Sequence, residues 1–133
     1  MSLETLKATP EEIVTDGHRC NLEVDVWRDF MPSIPPGGAP TYALARLVEA
    51  DSLAIPTGVD LLYLWIVKGE EFAAARFDEM EQSGWPPHME VRRATGLPQW
   101  GPHIYVDIVV GIGGPDGDLD LLAARGIWVE RTD

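Results

Sequence analysis

The chain is poor in cysteine, histidine, basic residues and long apolar runs, and each shortage removes a class of function. A single cysteine, Cys20, allows no intramolecular disulfide, and a lone thiol without a histidine beside it reads as a small buried hydrophobe, not a nucleophile. The longest purely apolar run, LLYLWIV at 61–67, falls far short of the roughly 20 residues that a membrane-spanning helix needs. Ten Lys and Arg stand against 22 Asp and Glu, a net charge of −12, and the one adjacent basic pair is Arg92-Arg93. Such a surface repels phosphate backbones, so neither nucleic acid nor an anionic membrane is an expected partner. Residues 1–16 carry Glu4, Glu11, Glu12 and Asp16 and no apolar core, so no export signal is expected and the cytoplasm is the default compartment.

Known motifs are missing as well. The glycines of GIGG at 111–114 precede a strand pattern, whereas a phosphate-cradling loop must open a helix. Asp116, Asp118 and Asp120 resemble the start of a calcium loop, but Leu121 and Ile127 stand where its sixth-position Gly and twelfth-position Glu belong. Ser2, Ser33, Ser52 and Ser83 lack any nucleophile-elbow context. No cofactor is implied.

What is present is alternation of period two, in short segments punctuated by Gly and Pro. Residues 19–28, 41–50, 61–67, 88–95, 103–112 and 118–130 read as strands. KGEEFAAARFDEMEQSG at 68–84 is ambiguous: its Glu, Ala and Met favour helix, and Lys68-Gly69 favours a hairpin into a strand at 71–78. Counting that strand gives seven, which predicts an all-β, immunoglobulin-like Greek-key sandwich over residues 18–133, preceded by a loosely held arm at 1–17.

Candidate chemistry concentrates in WGPHIYVDIVV, 100–110, where His103 and Asp107 interrupt an apolar strand. Ile104, Val106, Ile108 and Val110 share one face and His103, Tyr105, Asp107 and Val109 the other. Pairing with the last strand then sets Leu122, Ala124 and Trp128 beside Ile108, and Arg125 opposite Asp107, so the structural reading is an ion pair. The catalytic alternative is a metal-assisted hydrolase using His88, His103 and Asp107, although these lack any compact ligand spacing.

Trp85 in SGWPPH and Trp100 in GLPQWGPH each stand beside prolines just ahead of a histidine that opens a strand, as aromatic caps or as contact residues would. Arg28 and Asp29 follow a strand and precede the loop MPSIPPGGAP, a position from which binding groups are often presented.

WRDFMP at 27–32, GLPQWGPHIYVDIVV at 96–110 and WVERTD at 128–133 resemble motifs of a group of small, uncharacterised bacterial proteins, several with a lipoprotein-type leader. The resemblance implies a β-sandwich, favours strand over 71–78, implies no activity and offers a secreted or surface location as the alternative. GHRC at 17–20 departs from it, because no apolar stretch precedes the cysteine. The reading that results is a non-enzymatic binding module for a protein or peptide partner, or less readily a glycan, through Trp27, Arg28, Asp29, Trp85, Trp100 and His103. A self-assembling homo-oligomeric subunit is a third reading.

Overall fold

The computed structural model describes residues 1–32, 36–78 and 84–133. The alternating segments become strands β2 (His18–Asp29), β3 (Thr41–Glu49), β4 (Asp60–Lys68), β5 (Glu71–Phe77), β6 (Met89–Thr95), β7 (Tyr105–Gly113) and β8 (Leu119–Thr132), preceded by helix α1 (Leu3–Ala8) and strand β1 (Glu12–Thr15). In β3 the alternation is complete: Thr41, Ala43, Ala45, Leu47 and Glu49 are buried and the residues between them half-buried. The ambiguous stretch is strand over Glu71–Phe77, because Lys68↔Glu71 through Leu64↔Ala75 pair across a tight turn at Gly69, whose φ of +58° favours glycine; its residues 79–83 lie outside the described ones.

The expected sandwich gives way to a closed barrel. β8 pairs antiparallel with β7 over most of its length, then runs parallel to β2 from Val26↔Val129 to Asp29↔Thr132. That last pairing closes the ring β2-β3-β6-β5-β4-β7-β8, with β1 added as a hairpin partner of β2. One strand can serve two neighbours because β8 is 14 residues long and carries a bulge: Val106 faces Ile127 but Ile108 faces Ala124, so β8 spends one extra residue, at Gly126 with φ +65°. A sandwich would leave β2 and β8 as free edges; closure removes them.

The bulge also reverses the alternation. Leu122 and Ala124 face the core, but past Gly126 it is Ile127 and Val129 that pack there, and Trp128, expected beside Ile108, turns outward to 38% exposure. The barrel interior is filled by Leu22, Val24, Val26, Leu47, Leu64, Ile66, Ile108 and Val110 among others.

β4, β7 and β8 are apolar on their outer face too, and an apolar outer face must be covered. The segment 1–17, expected as a loose arm, carries that cover. Ser2 caps α1 by accepting from the Thr5 N–H at 3.1 Å, and Leu6 is fully buried against Val67, Val109 and Ala123. The Ala123 N–H donates to the Pro10 carbonyl at 2.8 Å, which fixes the exit from the helix.

Candidate functional site

Asp107 is scaffolding. Its Oδ2 lies 3.3 Å from Arg125 Nη1, and its Oδ1 accepts the Gly126 N–H at 2.9 Å, so the carboxylate holds the bulge in shape. Arg125 Nη2 meanwhile donates to the carbonyls of Leu6, Lys7 and Thr9 at 3.1, 3.0 and 2.6 Å. Those carbonyls stand at the C-terminal end of α1 and on its cap residue Thr9, where a cation is favoured; that of Leu6 also accepts the Thr9 N–H.

The hydrolase triad does not assemble. The His88 carbonyl accepts from Glu49 N, whereas the His103 N–H donates to the Val129 carbonyl. Glu49 pairs with Cys20 and Val129 with Val26, six positions apart along β2, which is roughly 20 Å. The two histidines therefore sit at opposite ends of the barrel. Among the described residues no group of three or more His, Cys, Asp or Glu side chains could hold a metal ion.

Five of the six proposed contact residues come together at the end where β2 finishes, here the upper end. Arg28 ties its loops: Nε and Nη2 donate to the Ala39 carbonyl and Nη1 to the Gly101 carbonyl at 2.7 Å, so its donors are committed internally. Asp29 Oδ1 accepts from Met31 N, a local turn bond. Trp27 packs on Tyr42 with ring centroids 5.7 Å apart, and Trp100 packs against the core with Lys68 Nζ 5.0 Å from its ring centre. Trp85 lies in the loop before β6, at the lower end.

His103 is the member of the set that remains exposed and available. It adopts φ +66° and stacks on Trp128 at 5.7 Å with 23° between the planes, and Tyr105, 66% exposed, meets Trp128 at 4.8 Å and 56°. These rings form an aromatic ledge on the outer face of β7 and β8. Reasoning from the sequence missed Tyr105 and Trp128 because uninterrupted alternation sends Trp128 inward. The signal that would have found them is Arg125-Gly126, an interior glycine in a strand pattern, which marks a bulge.

The lower end holds buried polar groups of another kind. Glu49, 1% exposed, takes His18 Nδ1 at 2.7 Å and also accepts from the Asp51 N–H, and these bonds, led by that from His18, hold its carboxyl below the ordinary range. Burial, aided by the Glu49 charge, pushes the Cys20 thiol up to about 11, which leaves it inert as a nucleophile at neutral pH. Glu90 is pushed up to about 7 by burial first and by neighbouring Asp60 second, despite Arg92, whose Nη2 lies 3.0 Å from Asp60. Asp60 in turn borders a surface hollow of about 330 Å³ with Leu62, Tyr63 and Leu119.

No protein-family model matches the chain, and no match to it was found among curated proteins or among solved structures.

Proposed function

We propose that the protein is a binding module that takes a segment of a protein or peptide partner on the ledge of Tyr105, Trp128 and His103. The observation that carries this reading is the exposure of three adjoining rings that the barrel does not need for its core. Interface anchors are enriched in such aromatic side chains, which supply large contact area at small conformational cost. The 56° tilt between Tyr105 and Trp128 favours a partner side chain seated in the angle between the rings over a sugar ring lying flat on a platform.

Rigid support favours the same reading. Gly126 and Asp107 fix the backbone beneath Trp128, and the Arg28 clamp fixes the loop that precedes His103. A contact surface held in one geometry loses little entropy on binding.

The test is selection from a displayed random peptide library on the purified protein, followed by anisotropy titration of the enriched peptides. Trp128→Ala and Tyr105→Ala should each weaken binding by about tenfold or more, which is about 1.4 kcal/mol. Enriched peptides indifferent to both substitutions would overturn the proposal, as would a Trp128-dependent hit on an oligosaccharide array with no peptide enriched.

A further inference from the structure

A second surface, built from different residues, lies on the same outer face below α1. The outward positions of β7 run Val109, Gly111, Gly113. Leu6 of α1 covers Val109, whereas over Gly111 and Gly113 the space that side chains would fill is taken by Leu62, Tyr63 and Leu119, and the hollow of about 330 Å³ lies beside these three. A Cβ at Gly113 would come within 2.7 Å of Leu62 Cδ1, and one at Gly111 within 3.0 Å of Tyr63 Cδ2 and 3.3 Å of Leu119 Cδ1. The glycines thus let Leu62, Tyr63 and Leu119 fold down over β7, and these three remain 46%, 52% and 51% exposed. A bulge between Leu61 and Tyr63 turns both Leu62 and Tyr63 outward, so the apolar floor is a product of the strand's own geometry.

The rim is acidic. Asp60 and Asp118 border the hollow, and Asp16, Asp116 and Asp120 line an adjoining one of about 260 Å³ that shares Gly114 and Asp118 with it. No Lys or Arg is among the residues that line either hollow; Arg92, outside the lining, pairs with Asp60, so the charge of the rim rests chiefly on Asp16, Asp116, Asp118 and Asp120. An apolar floor ringed by carboxylates, on a chain of net charge −12, is complementary to one kind of occupant: a basic segment with an apolar anchor. The chain itself illustrates the apolar half of this fit, because Leu3 and Leu6 of a short amphipathic helix already pack over the neighbouring part of the face.

We infer that the hollow bordered by Leu62, Tyr63 and Leu119 docks a short Lys/Arg-rich amphipathic segment of a partner protein, with an aliphatic or aromatic side chain against these three and cationic side chains toward the aspartates. The site is independent of the ledge.

The experiment titrates a labelled synthetic peptide of alternating Lys and Leu/Trp, and its twin with Glu for Lys, against the full chain. The Lys peptide binds, and Leu119→Ser and Tyr63→Ala, both exposed positions whose folding is checked by circular dichroism, each weaken it about fivefold or more. Asp116→Asn with Asp118→Asn weakens binding and flattens its salt dependence, and Trp128→Ala leaves binding unchanged, which separates this site from the ledge. Equal binding by the Leu119→Ser variant would reduce the interaction to diffuse charge attraction and overturn the inference. So would equal binding of the Glu twin, or concentration-dependent dimerisation abolished by Leu119→Ser, which would make a second copy the occupant.

Discussion

The outer face of β4, β7 and β8 has a covered half and an open half, and the two are finished differently. Over the covered half, Val67, Val109 and Ala123 meet Leu6, and the border is closed by Asp107 and Arg125. Beside the open half, glycines replace Val109's successors on β7, and the border is Asp60 with Arg92. The first arginine serves one carboxylate and three helix carbonyls. The second is shared between Asp60 and Glu90 and leaves its buried Nε without a hydrogen-bond partner among the described residues. The difference teaches that apolar residues on an outward strand face have two fates, intramolecular cover or presentation, and that the satisfaction of the flanking charges tells them apart.

The comparison breaks most severely if the cover is removed. Leu6→Ala empties a fully buried site and should cost about 2–5 kcal/mol, the range of Leu→Ala substitutions in packed cores. Urea unfolding would measure it. A loss under about 1 kcal/mol would mean that α1 contributes little cover in solution. Arg125→Ala tests the border of the same half. It removes the cation from the helix end and leaves Asp107 with only the Gly126 N–H, for an expected loss of about 2 kcal/mol. Amide exchange should show the loss concentrated in α1 and around Gly126. A uniform loss over the barrel would contradict the role given to this arginine.

Much of this was legible in the alternation. β2 buries every second residue from Cys20 to Val26, β3 does so throughout, and seven segments were placed close to where strands occur. Closure was not legible, because the parallel pairing of β8 with β2 joins distant segments through backbone bonds that carry no side-chain code. α1 and β1 were hidden by their charge: Glu4 and Lys7 flank the buried Leu6, and Glu11 and Glu12 lead into β1. Of the candidate site, His103 was found and its ring partners were not, since one extra residue at Gly126 reverses everything after it. The Asp107–Arg125 pair was foreseen, but its role in anchoring the helix was not, because no sequence rule brings residues 6 to 9 to residue 125.

The smallest expected effect concerns the open half's border. Glu90 has a carboxyl raised in the folded chain to about 7 from an ordinary value near 4.5, by burial and then by Asp60. A raised carboxyl favours folding while protonated, so this stabilisation is full below about pH 4.5 and is lost as pH rises through about 7. Glu49 acts with the opposite sign: its lowered carboxyl stabilises above the ordinary range and that contribution is lost only at lower pH, so it is constant across the Glu90 window. A full shift would be worth about 1.4 kcal/mol per unit, but the opposing charge of Arg92 and partial exposure to solvent leave on the order of 1 kcal/mol. Glu90→Gln keeps the shape and cannot ionise. Thermal melts from pH 5 to 8 should therefore show the parent losing stability with pH relative to the variant, and parallel curves would mean that Arg92 neutralises both carboxylates after all.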